Sequence, residues 1–321
     1  MAVKIQQPGL LTSVQDRGRT GYYHLGIPQG GALDQYSYEL ANALVGNQGG
    51  EAALECTYMG PAFEVLDNTQ MAVTGAPVDV LVNGNQQPTW ATIDLVAGDI
   101  VTFGYLTQGA RFYIAFGGGI DVPEVLGSRS TYPLGALGGF KGRKLEAGDE
   151  IPVGISHDVQ YELASEYHPE FGAEFTYRVI LGLYDHLLDE QGVKNLTEEE
   201  WSLTPVADRA GLRFDGPGVS WKPRVQPFGA GSDPSNIVDA GYAVGSIQIP
   251  GGSQPIILHR DAVSGGGYAM VATVISADMD AVARAQPGAK VRFETVSVEE
   301  AVELRQQARE RLRAALASLD T

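Results

Sequence analysis

Three times along the chain a glycine turn launches an apolar-alternating strand: AGDIVTF from Ala97, AGDEIPV from Ala147 and PGAKVRF from Pro287. Short units that each turn back sharply onto a neighbour favour closed or nearly closed β barrels over an open parallel sheet. The 41 glycines and 17 prolines point the same way, towards a turn-rich, mainly β architecture with a few short helices. At 321 residues the chain is long enough for two domains, each with its own core. Alternation fades over 156–177, where acids, His157, His168 and Pro169 accumulate. The expected organisation is a domain over 1–155, a linker over 156–177, a second domain over 178–297 and an amphipathic helix over 298–321. Each half carries one glycine triplet, Gly117 to Gly119 and Gly265 to Gly267.

A net charge of −17 sets a field that repels phosphates, so neither nucleic acid nor an anionic membrane is an expected partner. One cysteine, Cys56, leaves no internal disulfide framework and fits a reducing compartment. The opening MAVKIQQPGLL has no apolar run of signal length, and no later stretch reads as a membrane span. A cytoplasmic protein is the expectation. Five histidines outside any HExxH or HxH arrangement give no zinc site, and no G-x-S-x-G elbow supports a serine-hydrolase triad. No resident metal is expected in this chain alone.

The densest special chemistry lies between Arg111 and Val153. A strand with Phe112, Ile114 and Phe116 on one face runs into Gly117, Gly118 and Gly119. Without Cβ atoms these glycines either cradle an anion with their N–H groups or form a tight structural turn. Arg129, Ser130 and Thr131 follow, a guanidinium fork beside two hydroxyls. The trio suits carboxylate or phosphate oxygens, or else Arg129 clamps its own loop. Upstream, Asp16 and Arg19 sit in a charged cluster beside Gly18, and Asp34 is placed to cap a helix that stops near Gly46. Glu55, on a short strand, is either a satisfied structural acid or a site residue. In the second half, His259, Arg260 and Asp261 stand together after an apolar strand. The tail pairs Ser297 with Glu300 in a capping-box pattern and carries an apolar stripe that includes Val298, Val302, Leu312, Ala315, Leu316 and Leu319. That stripe docks either on its own domain or on a partner subunit.

Read in order, PGLLTSVQDRGR, GIPQGGALD, ALECTYMGP, GGGIDVPEVLGSRSTY, GGFKGRKLEAGD, GSIQIPGGSQPIIL and GGGYAMVATVI resemble one family across nearly the whole chain. It is the biotin-dependent carboxyltransferase family, which groups the C subunit of 5-oxoprolinase (KipA-like proteins) with allophanate hydrolase subunit 2 and the carboxyltransferase part of urea carboxylase. The resemblance implies two cyclophilin-like β-barrel domains. It also implies KipI-like and LamB/YcsF-like partner subunits, with which this chain would hydrolyse 5-oxoproline to glutamate using ATP and Mg²⁺. The match is most specific in the first 155 residues. Further on, Arg178 to His186 replaces the family's RVLPGPQDD, Ala207 to Gly211 replaces SDRMG, and Ala262 to Ala269 replaces QTxGGYP. Asp208, Arg209 and the glycines survive, which leaves the substrate open among 5-oxoproline, urea and other amides.

Hydrolysing an unstrained amide with ATP means phosphorylating its carbonyl oxygen, so the implied site must position the lactam and neutralise phosphate charge. On that basis Asp16 and Asp34 are expected as orienting or metal-facing acids, and Arg19 and Arg129 as anion clamps. The wider set for substrate or phosphate is Glu55, Gly117, Gly118, Gly119, Ser130, Thr131, Asp208, Arg209, Asp261, Gly265 and Gly266. The alternative chemistry, carboxyl transfer from carboxybiotin, needs a carrier on a separate chain, since no Met-Lys attachment pair occurs here. A non-enzymatic role, binding and antagonising a KipI-like protein, is the third reading.

Overall fold

The computed structural model describes residues 1–319 and divides into two units. The first comprises Met1–Arg19, Gly30–Phe171 and the chain from Arg309, and the second Thr20–Gln29 and Gly172–Ala308.

In the first unit the strands are β1 (Ala2–Gln7), β2 (Leu11–Gln15), β3 (Ala53–Thr57), β4 (Ala62–Val65), β5 (Thr69–Gly75), β6 (Val80–Val82), β7 (Asn85–Gln87), β8 (Thr92–Leu95), β9 (Ile100–Phe103), β10 (Arg111–Phe116) and β11 (Glu150–Pro152). They form two sheets, ordered β11-β1-β4-β9-β6-β7 and β2-β3-β10-β5-β8. Period-two alternation decides what each face of β10 meets. Phe112, Ile114 and Phe116 enter the core with Val3, Phe63 and Val101. Tyr113 and Ala115 face the other way, into a cluster with Tyr38, Leu40 and Ala41 of helix α1 (Gln35–Ala43). Every residue of β10 is therefore buried. As expected, Asp34 is the N-cap of α1, its carboxylate accepting the Ser37 N–H, and Gly46 adopts φ +72° just beyond the helix.

The second unit holds β12 (Glu174–Leu181), β13 (Trp201–Ala207), β14 (Gly211–Asp215), β15 (Asn236–Gly241), β16 (Ser246–Gln248), β17 (Ile256–Leu258), β18 (Gly265–Tyr268), β19 (Met270–Val274) and β20 (Lys290–Thr295). Seven of them close into a barrel, β12-β19-β16-β17-β14-β13-β20, sealed by the parallel pair β12–β20. Tyr177, Trp201, Phe214 and Phe293 fill its core. β15 and β18 form a separate two-stranded ribbon, so the second glycine triplet lies in a strand whereas the first is a turn. Helices α2 (Glu190–Glu198) and α3 (Met279–Arg284) lie in the same unit. The protein is thus mainly β, as its turn chemistry predicts.

Helix α4 (Val298–Ala317) begins with the predicted capping box: the Ser297 N–H donates to Glu300 Oε2 at 2.8 Å and the Glu300 N–H to Ser297 Oγ at 3.1 Å. Only the later part of its apolar stripe is covered. Leu312, Ala315, Leu316 and Leu319 pack with Tyr36, Tyr161 and Tyr167 of the first unit, while Val298 is 57% exposed. No helix among the described residues is long and apolar enough to cross a membrane.

The three repeated turns obey one geometry. Gly98, Gly148 and Gly288 all have φ of 90° or slightly more (+94°, +90° and +90°) with open space where a Cβ would go. In two of them an aspartate closes the turn: Asp99 Oδ2 accepts the Val96 N–H and Asp149 Oδ2 the Glu146 N–H, each at 2.8 Å. Gly118 differs, because its Cβ would lie 2.4 Å from the Ile155 nitrogen. Gly148→Ala should therefore lower stability by about 1–2 kcal/mol from backbone strain alone, and Gly118→Ala by clearly more; urea midpoints compare them directly. Equal losses would mean that the close approach at Gly118 carries no weight.

Asp149 also receives a bidentate fork from Arg143, at 2.7 and 2.8 Å. That fork holds its carboxyl below the ordinary value, outweighing the opposite effect of burial. A depressed carboxyl stabilises the fold above the ordinary carboxylate range, and the contribution disappears as pH falls through the depressed value. Arg143→Gln should thus unfold more readily than the parent at neutral pH, with the gap narrowing in acid. A gap independent of pH would assign the loss to packing.

Candidate functional site

The first unit gathers its candidates where the end of β2 meets the loop 128–131. Asp16 is 7% exposed and its carboxylate takes four donors. Oδ1 accepts the Gly18 N–H and the Ser128 hydroxyl, each at 2.7 Å, together with the Ser130 hydroxyl. Oδ2 accepts the Arg129 N–H. The adjoining contacts run between the same two segments. The Thr131 N–H and hydroxyl both donate to the Val14 carbonyl, and Gln15 Nε2 donates to the Thr131 carbonyl at 3.2 Å. Arg19, 1% exposed, donates to the Ser130 carbonyl. Gly138 and Gly139 let the chain pass close behind: a Cβ on Gly139 would lie 1.8 Å from Thr131 Oγ1.

These positions bear on the expected roles. Asp16 faces four protein donors. Arg129 points its Nε at the Val122 carbonyl (2.7 Å) and its Nη1 at Glu124 (2.8 Å), with Asp121 3.8 Å from Nη2. Of the two readings open for Arg129, this geometry is that of a clamp on its own loop. Ser130 and Thr131 turn their hydroxyls to Asp16 and Val14.

The glycine triplet is likewise engaged. The Gly117 N–H donates to the Gln70 carbonyl, the Gly118 N–H to Asn47 Oδ1 and the Gly119 N–H to the Phe116 carbonyl. A Cβ on any of the three would lie under 3.0 Å from Ser156, Ile155 or Glu51. The absent Cβ atoms thus admit neighbouring protein, and the N–H cradle drawn from the sequence is corrected to a tight packing turn.

Asp34 and Glu55 belong to a second, fully buried network. Register places Tyr113 directly across from Glu55. The Tyr113 hydroxyl donates to Glu55 Oε2 and accepts the Asp34 N–H, while Glu55 Oε2 also accepts the Leu33 N–H, all within 2.8–2.9 Å. Arg111 Nε lies 3.8 Å from Glu55 Oε1. Burial, then the charge of Glu55, holds the Tyr113 phenol well above its ordinary value, so it stays a proton donor. The Asp34 carboxylate accepts from the Ser37 N–H and hydroxyl. Nothing in the sequence singles out Tyr113 or Ser128; both become legible only once strand register and loop closure are known.

In the second unit Asp208 is exposed and its Oδ1 accepts the Ala210 and Gly211 N–H groups. Arg209 and Asp261, 5% and 4% exposed, form a bidentate pair at 2.8 and 3.0 Å. Buried His259 accepts the Arg260 N–H at Nδ1 (2.9 Å), which leaves any ring proton on Nε2. Gly265 and Gly266 pair with Gly241 and Ala240 in the ribbon. Among the described residues no group of three or more His, Cys, Asp or Glu is arranged to hold a metal ion. Arg129, Ser130, Thr131 and the N–H groups of Gly117 to Gly119, expected to receive a nucleotide's phosphates, face protein acceptors.

This mainly β chain is matched by the carboxyltransferase domain, subdomain A and B, over residues 25–295, and the chain belongs to that family. Asp16 and Arg19 precede the matched stretch. Among its relatives, the C subunit of Escherichia coli 5-oxoprolinase is 34% identical over 95% of this chain and 94% of its own length. Urea amidolyase of Saccharomyces cerevisiae is 32% identical over 95% of this chain, which spans only 17% of that protein. The solved urea carboxylase of Kluyveromyces lactis superposes with a TM-score of 0.91 at 34% identity, covering 97% of this chain and 29% of that one.

If the Asp16 carboxylate is what closes this loop, Asp16→Ala strands four donors. It should cost on the order of 3 kcal/mol, whereas Arg129→Ala, on a partly exposed clamp, should cost about 1 kcal/mol. Denaturant midpoints decide it, and an Asp16→Ala protein as stable as the parent would remove Asp16 from that role.

Proposed function

We propose that the chain is the KipA-like component of a multi-subunit, ATP-dependent 5-oxoprolinase that opens 5-oxoproline to glutamate together with KipI-like and LamB/YcsF-like subunits. The observation that carries this reading is the match to the C subunit of E. coli 5-oxoprolinase, which is aligned over 94% of its length, so the shared region is essentially that whole polypeptide. ATP and Mg²⁺ are assigned to the partner's side, because the first unit's expected phosphate groups are engaged within the protein. This chain's part is to present rigid loops: the Asp16 and Glu55 networks fix the backbone at 16–19, 30–34 and 128–131 so that a partner meets a preformed surface.

A second reading, the carboxyltransferase component of a biotin-dependent urea or amide carboxylase, draws on the TM-score of 0.91 to K. lactis urea carboxylase. Under it the substrate is a carboxylated biotin on a carrier together with an amide nitrogen.

Reconstitution separates the two. Mixed with the KipI-like and LamB/YcsF-like proteins, the chain should co-elute with the KipI-like one from a sizing column. The mixture should support ATP consumption that depends on 5-oxoproline, with almost none from the chain alone. Turnover that instead requires bicarbonate and a biotinylated carrier would transfer the assignment to carboxyl transfer.

A further inference from the structure

The early turns of α4 and its arginines carry a surface that the proposed activity does not use. At 100° per residue, Val298, Val302, Arg305, Arg309 and Arg313 fall within an arc of about 80° on one helix face. All five are exposed. Among the described residues none of the three arginines donates a hydrogen bond or lies within ion-pair distance of a carboxylate, although Arg143, Arg178 and Arg209 all do. Their spacing is also unfavourable for the helix by itself: Arg305 with Arg309, and Arg309 with Arg313, are like charges at i, i+4, an arrangement that destabilises. In a chain of net charge −17, acids to neutralise such a row are plentiful, yet among the described residues no carboxylate lies within ion-pair distance of it.

We propose that this arginine row is a docking strip for a narrow acidic segment of a partner protein, such as a helix with carboxylates at every fourth position. Successive arginines rise about 6 Å along the axis, the same interval as carboxylates four apart on a partner helix. The exposed Val298 and Val302 give the strip an apolar end, where a partner's aliphatic side chain gains burial. Width favours a protein segment over broader anions. Glu299, Glu303 and Glu310 run beside the arginines, about 100° further round the helix. A flat anionic bilayer or a nucleic-acid duplex meets those glutamates together with the arginines, whereas a single helix contacts the arginine row alone. The apolar side chains that a membrane-surface helix would insert, Leu312, Leu316 and Leu319, are packed within the protein.

The test is fluorescence anisotropy with a labelled, alanine-based helical peptide carrying glutamate at every fourth position. Phosphatidylserine vesicles and a short DNA duplex are run in parallel at low salt. The peptide should bind the full chain, and Arg305→Gln/Arg309→Gln/Arg313→Gln should weaken it about tenfold, as three exposed ion pairs allow. The positions are exposed, so circular dichroism and melting should match the parent, and single Arg309→Glu serves as a second variant should the triple one fail to fold. Glu299→Gln/Glu303→Gln should leave peptide binding intact. No peptide binding to the parent, equal binding by the arginine variants, or tighter binding to vesicles or duplex than to the peptide would each overturn the proposal.

Discussion

A buried carboxylate must be satisfied, and in the first unit the way Asp16 is satisfied determines the arrangement of everything around it. Its two oxygens collect donors from residues 18, 128, 129 and 130, the last three more than a hundred positions away in the chain. Once that junction forms, Thr131 has no choice but to pair with Val14, and the chain behind it must be glycine, since only Gly138 and Gly139 leave room. Hydrogen bonds to a charged acceptor are the stronger kind, roughly 1.5–3 kcal/mol each. A loop that would otherwise lose its full ordering entropy uncompensated is therefore held as firmly as a strand pair.

The second unit meets the same demand with a different partner. Both units place an Asp-Arg step at the end of a strand, Asp16-Arg17 after β2 and Asp208-Arg209 after β13, and in both the aspartate accepts the N–H two residues on, at 2.7 and 2.8 Å. The arginines then diverge. Arg17 bonds Glu39 near the surface, while Arg209 is buried in a bidentate pair with Asp261. In the first unit the aspartate is the buried member and gathers a loop; in the second the arginine is buried and its partner acid comes from the segment after β17. The same turn is thus used with the burial of its two residues exchanged.

Much of this architecture is legible in the residues because it depends on local rules. Positive φ at Gly98, Gly148 and Gly288 is what a tight turn into a strand requires, and those turns do precede β9, β11 and β20. The caps at Asp34 and Ser297 follow from hydroxyl and carboxylate geometry at helix starts. The α4 stripe is legible as a pattern but not as a contact: Leu312, Ala315, Leu316 and Leu319 are covered while Val298 and Val302 remain exposed, and periodicity says nothing about how far along a helix its cover extends. The division of the second half into a closed barrel and a separate β15–β18 ribbon is also out of reach, since it depends on which edges pair.

The expected site residues carry the chemistry of a ligand site and yet bond protein, and both facts have one cause. A ligand phosphate and a buried protein carbonyl ask for the same things: an arginine fork, hydroxyls and backbone that can come close. Arg129, Ser130, Thr131 and Gly117 to Gly119 supply all of these, and protein acceptors already use them. Residue type fixes what a side chain can bond; only long-range register fixes which acceptor arrives first. Tyr113 shows the other side of that limit. It sits in an apolar-looking strand and carries no motif, yet pairing across from Glu55 makes its hydroxyl the joint between Glu55 and the start of α1. Groups that close loops in this way give a partner or substrate a rigid rim to meet, so the residues that contact ligand are more reasonably sought on the outer surfaces of the segments they hold than among the clamps themselves.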